Sequence, residues 1–476
     1  MKRWWLLVLI GSAVLGAASA AMAQPQPGLT ISFAGEMYTI GYAWDNVTDF
    51  TDSGSGRFRD SDSRLLQRGR LFTTVQSADK KARAVWAIEI GDITFGAGGG
   101  ASGADYGGTT VRTGPGQGGE LGADGVNVET KHAFLQFDLP LVPNASLLLG
   151  IHPFVFLPGP AGPFSGDDGA GIQLGWKRGP IDLQMYTVKA AEQDLASADD
   201  NTLYAARVGL SVTKDLRLTV EGLVVDQQCF ARRAPVAPAT TGPCVSADFG
   251  DTFWVGGTVA ATVGTLKLDG TVVYGRRQLF SATNNASVEE SGWGAQASAR
   301  FPVGPIEAWI HGWYTTADDN RIPGSTASRV RAPGPGQDFS TASNTTKLNQ
   351  DSDKLPVPIK RKSWIGAPFQ AEALLGHRTF GTPSLGQPFD QDPSGTWGIG
   401  ASGLYPLTQA VSLGGGVAYV AASEHNGIFG DDAVEVDAGV LYSYNANLSI
   451  QVVGSYIVPE AGDGAWAVGF RTRFAF

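Results

Sequence analysis

From about residue 29 to the end of the chain, apolar and polar side chains alternate one by one. In Ala82-Arg83-Ala84-Val85-Trp86-Ala87-Ile88-Glu89-Ile90 the even positions are Ala, Ala, Trp, Ile and Ile, while Arg83 and Glu89 fall on odd ones. A period of two places these sets on opposite faces of a β-strand. Residues 216–221, 266–272, 297–301 and 434–440 repeat the pattern. The alternation predicts strands near 29–44, 64–77, 81–92, 128–139, 144–156, 169–178, 180–190, 201–213, 215–226, 250–263, 265–279, 290–302 and 304–316. It continues near 364–378, 395–405, 408–421, 432–445, 447–459 and 464–476.

Links between these segments alternate in length. Ala78-Asp79-Lys80, Arg178-Gly179-Pro180, Thr213-Lys214-Asp215, Gly264-Thr265 and Asn445-Ala446-Asn447 are short, whereas 45–63, 93–127, 227–249, 317–355 and 379–394 are long and polar or Gly-rich. Strands with one apolar face, short turns on one side and long loops on the other predict an all-β fold. The form is a closed antiparallel transmembrane β-barrel with periplasmic turns and extracellular loops. Closure removes the two edges an open sheet of this size would expose. The nineteen segments conflict with the even count such barrels have. Assigning 364–378 to a loop gives eighteen, and a further strand at 357–365 gives twenty, so the expectation is about eighteen within a range of 16 to 20. Trp86, Tyr204, Tyr274, Trp293, Tyr405, Tyr444 and Tyr456 share the apolar parity, where their rings suit the headgroup level.

The 476 residues include 64 Gly and only 17% charged residues, and no run of helix-formers at helical spacing follows the first two dozen. Residues 1–23 read as a secretory signal peptide: Lys2 and Arg3, an apolar stretch from Trp4 to Leu15, and Ala21-Met22-Ala23 before Gln24. The competing reading is a membrane anchor. Residues 24–476 then form one barrel, whose first strand follows too closely for a plug domain. Losing Lys2 and Arg3 takes the net charge from -10 to -12, which argues against nucleic acid as a partner.

The C-terminus, Val468-Gly469-Phe470-Arg471-Thr472-Arg473-Phe474-Ala475-Phe476, alternates aromatic residues and ends on Phe. With the barrel pattern it resembles bacterial outer-membrane porins, in architecture along the whole mature chain. The resemblance implies that Phe470, Phe474 and Phe476 form the signal read by the barrel-assembly machinery. The family's usual Gly five residues before the end is Arg471 here, with Gly at 469. Residues 66–72 with 89–92 are similar to the early hairpin of phosphate-selective porins. Residues 160–169, with Phe164, Asp167 and Asp168, are similar to the inward constriction loop of general porins; an ordinary acidic surface loop is the alternative. The resemblance implies outer-membrane lipid as surroundings, small hydrophilic or ionic solutes as cargo and passive diffusion as the activity, in the cell outer membrane. Trimers are typical of the family, so a homotrimer is one assembly for this chain.

If the apolar parity faces lipid, the opposite one lines the pore. It carries Arg68, Arg70, Arg83, Glu89, Arg207, Arg217, Glu221, Lys267, Asp269 and Arg300. Two arrangements are open: an Arg ladder that attracts anions, or Arg and acid pairs on neighbouring strands that stiffen the wall. Cys229 and Cys244 sit in the long link 227–249, in an oxidising compartment, and are expected to form a disulfide. It would constrain that loop by roughly 3 kcal/mol. The five histidines, including His132 and His152, lack metal-site spacing, and no cofactor motif or G-x-S-x-G or H-E-x-x-H pattern occurs. No metal, no cofactor and no enzyme activity are expected. The alternative function is a structural barrel, such as the sheath of an electron-transfer conduit or a surface adhesin. Residues 317–363 either enter the lumen or cover the outer mouth.

Overall fold

The computed structural model describes residues 28–46, 61–95, 128–159, 162–191, 201–227, 248–281, 286–315, 396–422 and 432–476. Every regular element among them is a strand. The first nine are β1 (Thr30–Asp45), β2 (Ser61–Gln76), β3 (Ala82–Thr94), β4 (Val128–Asp138), β5 (Ala145–Gly159), β6 (Gly162–Arg178), β7 (Ile181–Ala191), β8 (Asn201–Ser211) and β9 (Leu216–Gln227). Then follow β10 (Asp248–Val263), β11 (Leu266–Ser281), β12 (Ala286–Val303), β13 (Ile306–Thr315), β14 (Thr396–Pro406), β15 (Val411–Ala422), β16 (Asp432–Ser443), β17 (Leu448–Pro459) and β18 (Ala465–Ala475). Each strand pairs antiparallel with its sequence neighbours, and β1 pairs with β18 from Glu36↔Ala475 to Asp45↔Trp466. The sheet is therefore a closed barrel of eighteen strands, with the start of β1 and the end of β18 on the short-turn side.

The strand at 364–378 lies outside the described residues. The ring closes without it, because β13 pairs directly with β14 from Glu307↔Leu404 to Tyr314↔Trp397. Side-chain alternation matches the two faces. Trp86, Val220 and Tyr456 are 57%, 60% and 54% exposed on the outside, while Glu89 and Glu221 point inward and are buried.

The short turns are built from local hydrogen bonds. Between β2 and β3, Asp79 accepts from the Ser77 hydroxyl (2.7 Å) and the Lys81 amide (3.1 Å). Those two donors hold its carboxyl below the ordinary carboxylate range. Between β10 and β11 the chain reverses at Gly264, whose φ of 62° suits a residue without Cβ. At the β1–β18 seam, Phe470 and Phe476 lie on the outer face over Gly41 and Gly35. A Cβ would come within 2.2 Å of Phe470 Cε1 at the first and 2.5 Å of Phe476 Cζ at the second. Aromatic rings here cover the gaps that strand glycines leave.

One expectation is corrected. The link placed at residues 157–168 is instead a continuation of the sheet, since β5 and β6 pair through Val155↔Gly166, Phe156↔Ser165 and Pro158↔Pro163 out to Gly159↔Gly162. The two prolines face each other, so the positions that lack a ladder donor coincide.

Candidate functional site: the lumen

On the side formed by β18, β1, β2, β3 and β4, charges of opposite sign alternate from strand to strand. Register places Arg70 between Glu36 and Glu89. Arg473 Nε donates to Glu36 Oε2 (2.8 Å), Arg70 Nη1 to Glu36 Oε1 (3.0 Å) and Arg70 Nε to Glu89 Oε2 (2.5 Å). Arg68 Nε and Lys131 Nζ each lie 3.4 Å from Glu89. Lys131 also donates to Asp168 Oδ2 on β6 (2.5 Å), and His132 Nε2 meets Asp168 Oδ1 at 2.9 Å. Tyr38 of β1 lies between Arg68 and Arg471, whose guanidinium carbons are 5.8 and 4.9 Å from its ring centre.

Two irregularities shape this wall. The β3–β4 register jumps from Ala87↔His132 to Ile88↔Thr130, leaving Lys131 as the extra residue. The bulge lets Lys131 and His132, adjacent in sequence, both reach Asp168. Opposite Arg68, the β2–β3 register shifts between Gln67 and Gly69. There Gly91 of β3 has φ 117°, and a Cβ on it would meet Gln67 O at 2.6 Å.

The lumen differs on β7, β8 and β9. Gln184, Arg207 and Glu221 are successive register partners. Arg207 Nη1 donates to Gln184 Oε1 (3.0 Å) and Nε to Glu221 Oε2 (2.9 Å), and the Tyr186 hydroxyl donates to Glu221 Oε1 (2.7 Å). The β5–β6 hairpin reaches this wall. Leu157 N donates to Glu221 Oε2 at 2.6 Å, and Val155 O accepts from Arg207 Nη2. Around these bonds Phe154, Phe156, Leu157, Leu203, Leu223, Val225, Trp254 and Val273 belong to a buried apolar cluster that also takes in Ile40, Tyr42 and Trp44 of β1 and Leu66 of β2.

The remaining sequence candidates fall into place around the two walls. Arg83 donates to Gln136 Oε1 (2.9 Å), and Arg217 Nη2 to Asp182 Oδ2 (3.2 Å). Asp269 accepts from Ser298; Lys267 is the register partner of Arg300, which pairs with Glu307 and lies over Trp309. Each of these contacts joins side chains that share the inner face. His132 and His152 have separate partners, the latter donating from Nδ1 to Pro153 O at 3.0 Å. Asp168 stands in the charged wall. Phe164 and Asp167 belong to β6, but their side chains lie outside the description, as do residues 1–23, Cys229, Cys244 and 317–363. Among the described residues no three His, Cys, Asp or Glu side chains converge on a metal position.

Sequence reasoning missed Lys131, Tyr38, Gln184 and Tyr186. Tyr38 and Tyr186 share the lumenal parity and were legible as such, whereas Lys131 faces inward only because of the bulge. The same reasoning gave no sign of the apolar lumenal cluster, whose residues occupy positions assigned to water.

An apolar outer band with an inward-facing charged and partly packed interior defines a transmembrane β-barrel. No protein-family model matches the chain, and no curated protein does. Solved structures do. OccK9 (OpdG) of Pseudomonas aeruginosa is 11% identical with a TM-score of 0.52, and a BenF-like porin from Pseudomonas fluorescens Pf-5 is 9% identical with a TM-score of 0.51. Each alignment covers 94% of this chain and 98% of the other. At such identities the likeness establishes a shared barrel fold.

Proposed function

We propose that this chain is an outer-membrane porin, a water-filled channel for passive diffusion of small hydrophilic solutes with a preference for anions. The observation that carries the reading is the burial of one acid, Glu89, among three partly open cations on the β18–β4 wall, where Glu36 and Asp168, at 16% and 21%, are as open as the cations. Glu89 is only 1% exposed and is consumed by its neighbours. The side chains of Arg68, Arg70 and Lys131 around it keep 16%, 21% and 16% of their surface open. A guanidinium has five donors, and Arg70 spends its Nε and Nη1 on Glu89 and Glu36. Among the described side chains of this wall and its β6 partner, Arg68, Arg70, Arg83, Lys131, Arg471 and Arg473 stand against Glu36, Glu89, Glu129, Asp138 and Asp168, six cations to five acids. Excess positive charge lowers the barrier for anions.

The test is the purified folded protein in a planar bilayer under a salt gradient. Stepwise ohmic openings with an anion-selective reversal potential support the reading. An inserted barrel without conductance would favour a sheath or adhesin, and a cation-selective reversal potential would refute the anion preference.

Further assignments belong to this reading. Residues 1–23 are a cleaved signal peptide, testable by the mass of the mature protein. Phe470, Phe474 and Phe476 are the assembly signal, supported by their exposure on the outer face. Cys229 and Cys244 form a disulfide, which two free thiols in native intact-mass analysis would exclude. The assembly is a homotrimer, to be weighed by native mass in detergent.

A further inference from the structure

Glu221 is a wall carboxylate of a lumen, yet it is fully buried. Its oxygens accept from Leu157 N (2.6 Å), the Tyr186 hydroxyl (2.7 Å), Arg207 Nε (2.9 Å) and Arg207 Nη2 (3.1 Å). A carboxylate facing water has no need of so many protein donors; this one has lost its water because the β5–β6 hairpin lies on it. The hairpin is held by its backbone. The Leu157 amide meets Glu221, and the Val155 carbonyl takes Arg207 Nη2 and, at 3.4 Å, the Tyr186 hydroxyl.

Two features show that the hairpin is fitted to this place. Leu157 has φ 46°, a left-handed conformation that a side-chain-bearing residue keeps only when its surroundings impose it. Its side chain occupies the space left by Gly256, the register partner of Glu221 on β10. A Cβ there would be 2.4 Å from Leu157 Cδ1. Leu223 of β9, in the same buried cluster as Leu157, is 1% exposed.

We propose that Glu221 is the positioning residue of the constriction: it holds the β5–β6 hairpin against the β8–β11 wall, narrows the lumen there and confines solute passage to the charged wall across the barrel. The proposal rests on the channel reading above. Removing the carboxylate leaves the buried Arg207 guanidinium without its counter-charge, held only by Gln184 and Val155 O, and leaves the Leu157 amide without its acceptor, a loss that admitted water makes good. Water admitted there lifts the hairpin, while the ladder within the hairpin and the eighteen-strand ring keep their own pairing.

The experiment combines current and chemistry. Glu221→Ala and Glu221→Gln are made in the full chain, and each is also made with Leu223→Cys in a background whose two natural cysteines are serine. Single-channel conductance is measured in planar bilayers. Labelling of the thiol introduced on β9 by a charged, membrane-impermeant maleimide is measured in detergent. Glu221→Ala is expected to raise conductance at least about two-fold and to expose that thiol, which is protected when Glu221 is present. Glu221→Gln, which keeps an acceptor for Leu157, is expected to do less of both. Wild-type conductance with a protected thiol would overturn the proposal. So would labelling without a change in conductance, because the hairpin would not set the width, or higher conductance with the thiol still protected, because the narrowing would lie elsewhere. If Glu221→Ala does not insert, Tyr186→Phe carries the same two readouts, and no change in either would overturn the proposal. Absence of current in the wild type would refute the channel reading, while labelling of the Leu223→Cys variants would still report on the hairpin.

Discussion

Glu89 and Glu221 are both inward carboxylates at the middle of strands, and both are buried, yet they serve opposite walls. Around Glu89 the donors are three cationic side chains, each still partly open to the lumen. Around Glu221 they are one cation, a phenol and a backbone amide of the inward hairpin, all closed over by apolar residues. The first arrangement leaves positive charge beside water. The second uses a carboxylate as a structural acceptor and seals the wall. Residue type alone does not decide between these uses; what lies over the carboxylate does.

The comparison breaks most severely on the sealed side. Phe156→Ala empties a fully buried site in the lumenal cluster and is expected to destabilise the barrel by about 3–5 kcal/mol. Urea unfolding in lipid vesicles measures this, and a loss below about 1 kcal/mol would mean that the cluster collapses freely around the gap. On the charged side, Arg70→Ala removes the cation between Glu36 and Glu89. Its cost is about 3 kcal/mol for a partly buried network, and the same variant is expected to shift the reversal potential toward cations. An unchanged potential would detach selectivity from this wall.

Glu89→Gln sharpens the contrast in the other direction. It releases Arg68, Arg70 and Lys131 from their shared acceptor and is expected to raise the anion-to-cation permeability ratio by a few-fold, on the order of 1 kcal/mol of barrier. A fall in that ratio would show that Glu89 orders the cations rather than offsetting them. Far from both walls, Asp79→Asn is expected to have the smallest effect. Because Asp79 titrates below its ordinary value in the folded protein, its stabilisation is present above the unfolded carboxylate range. It is lost as pH falls through the lower folded value. The variant should therefore unfold earlier than wild type at neutral pH and equally once the pH lies below the lowered range of the folded carboxyl. A difference that persists in acid would assign the effect to the turn backbone instead.

Much of this was legible in the sequence because alternation reports which face is wet. Trp86, Val220 and Tyr456 lie outside, and Arg70, Glu89, Arg207 and Glu221 inside, as the period of two requires. The turns at Asp79, Gly264 and Asn445 were legible from composition. The hairpin was not. Pro158, Gly159, Gly162 and Pro163 read as a loop by composition, and their pairing depends on contacts with β9 and β10, some 60 residues or more away in sequence. Lys131 was hidden by a bulge, which breaks the parity that such reasoning relies on. Leu223, Val225 and Trp254 were hidden for the opposite reason. Their parity is lumenal, but a lumen packed by its own hairpin is apolar, and a strand cannot signal that it will be covered from within.

The central claim is that current runs along the β18–β4 wall and is tuned by its cations. The most direct measurement is the reversal potential of the wild-type protein in a planar bilayer under a salt gradient, repeated with Arg70→Ala. Stepwise ohmic openings selective for anions are expected, with the preference reduced or lost in Arg70→Ala. Cation-selective openings, or anion selectivity that Arg70→Ala leaves unchanged, would contradict it.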